Sequence, residues 1–511
     1  MSERKRMKLQ FLGCSVALAM FICAGLNNAF ALAPPVFDNN PQFDMILTNS
    51  RPILSVGITD SMPDNCSLEF EISRDRNFPP GNTVVYKNIR PQNKYIAEKQ
   101  VSTEHALKDG TYYWRVRTVG SDGKTSFWVQ TRFHIDVKNS RTFSGFVRAP
   151  VKKVSVSNGQ DPKNIKDWND QGQITFWNSA PRAEGEEFSW VIFDMGKKTP
   201  VTRFWMLSTR QSTSPAPGWL THFIWQSSDD GRNWKDIKET EVKNNDTYRN
   251  IIDFPSVNAR FYRLVIYDQN ALQAQLNVII PYVKGKPAAP AAPDKNYVLI
   301  IGNQMNGYTY TQLARFVENE TLQTLVIPYY EMSLEVLNSL KKKPSGIIFS
   351  GNNADWQNLP MFEYYGEFEI IRKVRDIPMM GICAGNEFIA MAYGISFAHW
   401  MGWFDDTMFR HKQGETPDKV NILPEYENDP IFKGVPNPFR QVEIHSWAIS
   451  PLFLKDPRYN EFKVTAKSSY IQCIKSTSRP IYSEQFHGAV VNDYNQSGIY
   501  LKNFLKILKS R

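Results

Sequence analysis

Cysteine is scarce in this chain, with five among 511 residues. Cys14 and Cys23 lie in an apolar N-terminal run, so Cys66, Cys383 and Cys473 remain beyond it. So sparse and odd a set excludes a disulfide framework and leaves at least one free thiol in a single chain. Long apolar runs are equally rare: past residue 31 none is long enough to cross a bilayer. There is no long basic run either. The 60 Lys and Arg are scattered among 51 Asp and Glu, which argues against nucleic acid as a partner. His399 and His411 lack carboxylate-rich surroundings and metal-ligand spacing, so no metal or other cofactor is expected.

What is present reads as several packed domains. An apolar fraction of 42% with 13% aromatics supplies cores, and the length suits two to four domains. The start, MSERKRMK, is basic; the apolar run FLGCSVALAMFICAGL and the small-x-small Ala29-Phe30-Ala31 follow. This is the pattern of a cleaved signal peptide over residues 1–31, placing the mature protein in the periplasm or outside the cell, with no stable membrane insertion. Its removal takes +3 from the formal +9 and leaves +6.

Residues 34–137 alternate short apolar runs with turns. SLEFEISRD and GTYYWRVRTVG carry the period of two expected of half-buried strands. Around Trp114, a core-packing residue, DGTYYWRVRTVGSDGKTSFW resembles fibronectin type III-like modules. Residues 142–283 hold FSWVIFDMG, then FIWQSSDDGRNWKDI, then ARFYRLVIYD. Asp230-Gly231 supplies a tight turn and Trp234 an aromatic on the following strand. In that order the three pieces resemble the discoidin, or coagulation-factor type C, jelly roll. The resemblance implies a loop-borne ligand, carbohydrate or cell surface, with RQSTSPAPGW ending at Trp219 as candidate loop. KGKPAAPAAPDK, residues 284–295, reads as a semi-rigid linker.

From residue 297 the pattern changes. YVLIIGN, TLVIPY, SGIIFSG and IPMMGIC read as buried parallel strands, and LARFVENE, LEVLNSLKKK and EFEIIRKVR as helices between them. The expected fold is two N-terminal β-sandwiches followed by an α/β open sheet.

GICAGNEF has the Gly-x-Cys-x-Gly spacing of a nucleophile elbow. It would lift the Cys383 thiol clear of the sheet at a helix start, where backbone amides favour thiolate. Gly351, after SGIIFS, and Ala384 could present N–H groups to an oxyanion. His487, in YSEQFH, could serve as general base and acid. Cys473, on YIQCIK, reads as a packing residue.

The order SGIIFSGN, GICAGNEF, YSEQFH resembles the class I glutamine amidotransferase family over residues 297–511. The resemblance implies attack of Cys383 on a glutamine side-chain amide, a glutamyl thioester, and proton relay by His487. Two residues depart from the family pattern. His487-Gly488-Ala489 stands where the family has His-Pro-Glu, and Glu484 or Asp493 are candidate substitutes for the orienting carboxylate. Glu387 stands where the family has Gln, beside the substrate. His445 and Ser446 lie where family members carry a pocket His-Ser pair. No synthase segment is legible, so two functions fit: an exported amidohydrolase acting on a glutamine-like or γ-glutamyl amide, or a surface-binding protein with a degenerate catalytic domain.

Overall fold

The computed structural model describes residues 32, 35, 45–47, 50–57, 65–91, 96–135, 137, 145–159, 162, 165, 177–208, 218–245, 248–304, 308–352, 359–392, 404–405, 419–445, 448–449, 461–468, 470–491 and 493–510. The signal segment, most of the 210–219 loop, His399, His411 and Ser446 lie outside them.

The first block builds two β layers. β1 (Met45–Leu47), β3 (Ser67–Ser73), β4 (Thr83–Ile89), β6 (Gly110–Val119) and β7 (Val129–Ile135) form a sheet in the order β1-β7-β6-β3-β4. β2 (Ile53–Gly57) pairs with β5 (Ile96–Gln100). Alternating side chains of β3 and β6 meet between the layers, where Trp114 is fully buried and stacked on Phe70.

The second block is a seven-stranded sheet. Its strands are β8 (Phe146–Arg148), β9 (Lys153–Val156), β11 (Ser189–Leu207), β12 (Leu220–Ser228), β13 (Lys235–Val242), β14 (Arg249–Gln269) and β16 (Val278–Lys284), while β10 (Trp177–Asn178) and β15 (Gln275–Leu276) form a separate pair. The main path runs β13-β12-β14-β11-β16-β8, with β9 on β11. The Asp230-Gly231 turn joins β12 to β13. Gly231 has φ +71°, and the Asp230 carboxylate accepts from the Arg232 and Asn233 amides at 2.8 Å.

In the third block β17 (Tyr297–Gly302), β18 (Gln323–Pro328), β19 (Gly346–Phe349), β20 (Met379–Ile382) and β26 (Ile481–Glu484) are parallel neighbours in the order β18-β17-β19-β20-β26. The sheet continues antiparallel through β25 (Ile471–Ser476), β24 (Phe462–Lys467) and β22 (Asn421–Ile422); β21 (Phe404–Asp405) pairs with β23 (Ile444–His445). Every residue of β17, β19 and β20 is buried, as unbroken apolar runs require. The helices are α1 (Tyr308–Asn319), α2 (Leu334–Ser339), α3 (Tyr365–Lys373), α4 (Ala384–Ala392) and α5 (Gly498–Lys509). α2 is shorter than the run LEVLNSLKKK suggests. It ends where Leu340 turns extended and its side chain enters the core.

The blocks share their interiors. One apolar core runs from Trp114 and Phe133 of the first block to Tyr329 and Met361 of the third. Trp205, Leu207 and Tyr282 of the second block pack with Phe362. The linker is docked: Lys286 pairs with Glu335 at 2.7 Å, and Lys342 donates to the Asp294 carbonyl at 3.0 Å.

Candidate active site

The site forms at the carboxyl end of the parallel strands, where β20 runs between β19 and β26. The chain turns sharply from β20 into α4 at Cys383, whose φ is +54°. A non-glycine residue in this left-handed region costs about 1–3 kcal/mol, which the surrounding structure must hold. Two glycines make the turn possible. A Cβ on Gly381 would meet the Gly385 carbonyl oxygen at 2.4 Å, and one on Gly385 would meet that of Phe349 at 2.1 Å. The Cys383 amide still donates to the Glu484 carbonyl at 2.8 Å, and its own carbonyl accepts from Asn386 N at 2.9 Å. Strand and helix are thus locked on either side of the thiol.

Three of the expected residues converge. A Cβ on Gly351 would lie 3.4 Å from Cys383 Cβ, 3.8 Å from its Sγ, and 3.5 Å from His487 Cε1. The His487 amide donates to the Val442 carbonyl at 2.9 Å, anchoring the loop after β26. The Ile444 carbonyl acts on its imidazole and favours the protonated form. His487 Nε2 is buried with no hydrogen-bond partner among the described residues. The Cys383 thiol also points at the Ile444 carbonyl, 3.7 Å away.

Burial favours the neutral form of both the Cys383 thiol and the His487 imidazole. Burial pushes the thiol up; the Glu387 carboxylate adds to this, as do Glu443 and Glu484, and the Ala384 amide only partly opposes them. Burial, and then the neighbouring His445, lower the imidazole to about 4 against the pull of the Ile444 carbonyl and Glu443. The environment thus opposes the thiolate expected from the helix start, because burial, and after it Glu387, outweigh the Ala384 amide.

Glu387, in the first turn of α4, is 2% exposed and accepts from Gln485 Nε2 at 3.1 Å; Gln485 in turn accepts from Asn386 at 2.8 Å. His445 Nε2 lies 3.6 Å from Glu443. Neither candidate for the absent glutamate orients the imidazole. Glu484 accepts from the Gly488 amide at 2.9 Å, so it holds the backbone after His487; burial raises it to about 8. Asp493 is not among the groups acting on His487.

Glu443 completes the site and is not singled out by sequence reasoning. It is fully buried and accepts from Gln441 at 2.9 Å, from Tyr470 and from Gln472. Its charge reaches both Cys383 and His487. The available signal was its place in VEIHSW, two residues before His445.

The class I glutamine amidotransferase family model matches residues 301–507. A glutamine-hydrolyzing GMP synthase subunit of Thermococcus kodakarensis is 31% identical over 174 residues, covering 32% of this chain and 76% of that protein. The chain belongs to the class I glutamine amidotransferase family. The corresponding GMP synthase subunit of Methanobrevibacter smithii is 26% identical over 216 residues, 42% of this chain and 97% of that one. Ahead of the amidotransferase domain, the F5/8 type C domain model matches residues 150–276. The chain is also similar to CpGH89CBM32-5 from Clostridium perfringens, solved in complex with GalNAc-β-1,3-galactose. The TM-score is 0.22 and the identity 19%, over 25% of this chain and 93% of that one.

Proposed function

We propose that this amidotransferase-family protein is a cysteine-dependent amidohydrolase that cleaves a glutamine-like or γ-glutamyl amide through a thioester. The observation that carries this reading is the left-handed turn at Cys383, with Gly351 and His487 converging on its thiol. Sγ attacks the amide carbon as its proton passes to His487 Nε2. Because burial favours the neutral form of both groups, proton transfer accompanies attack. The amide N–H groups of Gly351 and Ala384 receive the oxyanion. Collapse expels the amine, which takes the proton from His487 and leaves a thioester. Water, deprotonated by His487, then releases the acid and restores the thiol. This reading assigns Glu387, His445 and Ser446 to the substrate side.

In the same reading residues 142–283 form a discoidin-like jelly roll that attaches the enzyme to a carbohydrate or cell surface; the F5/8 type C match supports this. Residues 34–137 form a fibronectin type III-like module, supported by the two-layered β arrangement. Residues 284–295 link to an amidotransferase domain over 297–511, and residues 1–31 direct export.

The test is ammonia or amine release from glutamine and γ-glutamyl amides, with Cys383→Ala beside the native protein. Release that disappears in the variant supports the reading. The His487 imidazole stays neutral down to about pH 4, so the acid limb of kcat/KM should lie well below the ordinary histidine range. The non-catalytic alternative, favoured by Gly488 and Ala489 after His487, predicts no release from any amide and unchanged ligand binding in Cys383→Ala.

A further inference from the structure

The second block meets the amidotransferase domain through a buried ion pair. Arg148, at the end of β8, donates from Nε to one Glu363 oxygen at 2.7 Å and from Nη2 to the other at 2.6 Å. Nη2 also donates to the Tyr329 hydroxyl at 2.8 Å, and the Tyr282 hydroxyl of β16 donates to Glu363 at 2.8 Å. Glu363 is 2% exposed, and the guanidinium lies over the Tyr330 ring, 3.8 Å from its centre. Such a pair holds as a unit, because losing one partner strands a buried charge.

From this pair a column of rings leads to the site. Tyr329 stacks on Tyr364 at 4.0 Å and 7°, and Tyr364 on Phe388 at 4.6 Å and 19°. Phe388 belongs to α4, the helix that begins beside Cys383. The Tyr364 hydroxyl accepts from Asn352 at 3.0 Å, and Asn352 follows Gly351 directly. The same hydroxyl donates to the Asn303 carbonyl at 3.4 Å. Tyr364 is the residue next to Glu363, so an arginine of one domain fixes the segment that holds the oxyanion turn of another.

We propose that Arg148, in the discoidin-like block, is a positioning residue for the active site, holding the Gly351-Asn352 turn through Glu363, Tyr329 and Tyr364. This rests on the functional reading above. The discoidin-like block is then part of the enzyme's working structure as well as an attachment module. Movement of β8 would be felt at the oxyanion site.

The test uses two reagents on the full-length protein. p-Nitrophenyl acetate acylates a thiol through an oxyanion, whereas iodoacetamide alkylates it by displacement at carbon, with no oxyanion. Cys383→Ser sets the background for both. Arg148→Gln should slow the p-nitrophenolate burst by about tenfold or more while leaving the iodoacetamide rate within about twofold, as loss of an oxyanion donor would. Arg148→Lys should recover part of the burst. In a Tyr364→Phe background, Arg148→Gln should add little. An unchanged burst, or equal slowing with both reagents, overturns the proposal. If Arg148→Gln does not fold, Tyr364→Phe, which keeps the ion pair and the stacked ring, must show the same split. Absence of a burst in the native protein sinks the functional reading and this proposal together; a native burst that Arg148→Gln leaves intact sinks only the proposal.

Discussion

Cys383 directly follows β20 and Cys473 lies on β25 of the same sheet, with only β26 between the two strands. Both are buried, and burial is the first cause that raises each thiol. Glu484 acts on both. Burial and titration therefore do not separate them. The backbone does. Cys473 sits within β25, opposite Ala466 in the ladder, with its thiol against the Tyr500 side chain. Cys383 leaves its strand at φ +54° and meets a glycine turn and an imidazole with an open Nε2. The difference teaches that a turn, held at a cost of about 1–3 kcal/mol, brings a thiol to a glycine turn and an imidazole where a strand would merely pack it.

The largest test of this contrast is alanine at each position. Cys383→Ala should reduce turnover by about a thousandfold or more, because the proposed thioester forms on its thiol. Cys473→Ala should leave kcat/KM within about twofold and cost about 1 kcal/mol of stability, read by denaturant unfolding, for its lost packing. Comparable turnover losses in both would erase the distinction. Next in size is Gly351→Ala. Its methyl group would sit at ordinary contact distance from Cys383 and His487, so unfolding should shift by less than about 1 kcal/mol. The same methyl group fills the space where the substrate carbonyl must lie, and kcat/KM should fall by about a hundredfold. An active Gly351→Ala would show that the substrate approaches from elsewhere.

Much of this contrast was legible in the sequence, and the reason is local. The strands are apolar runs, the elbow is Gly381-x-Cys383-x-Gly385, and the Asp230-Gly231 turn needs only its own neighbours. What was not legible depends on distant segments. Glu443 gains its meaning from Gln441, Tyr470 and Gln472, which β25 and the chain before it bring to one point. The backbone group that acts on the His487 imidazole is the Ile444 carbonyl, and every residue has a carbonyl. Arg148 and Glu363 are 215 residues apart. What opposes the thiolate is distant in the same way: the helix start is local, but Glu387, Glu443 and Glu484 come from three separate segments of the chain.

Glu387 offers a finer test. Its charge is the largest of those that raise the Cys383 thiol, and it does not act on Cys473. Glu387→Gln keeps the shape and an oxygen for Gln485. Removing a like charge lowers a thiol's pKa and raises the thiolate fraction at any given pH. Iodoacetamide labelling of Cys383 at pH 8 should quicken by about tenfold, the equivalent of one pKa unit. Labelling of Cys473, mapped in the same digest, should not change. Equal acceleration at both cysteines would mean that the substitution opens the sheet and does not act through charge.

The smallest expected effect concerns Glu484, the carboxylate that both cysteines feel. Folding raises it from 4.5 to about 8, through burial against the opposing Gly488 amide. The native state therefore keeps a proton that the unfolded chain releases between those values. The stability this contributes is complete below about pH 4.5 and is lost as the pH rises through 8. Gln cannot ionise, and its side-chain oxygen still accepts from Gly488. Glu484→Gln should match the native Tm near pH 5 and exceed it by a few degrees at pH 9. A gap of the same size at both pH values would mean that Glu484 does not titrate in the folded protein. Its charge would then be fixed, and it would raise both thiols at every pH instead of only above 8.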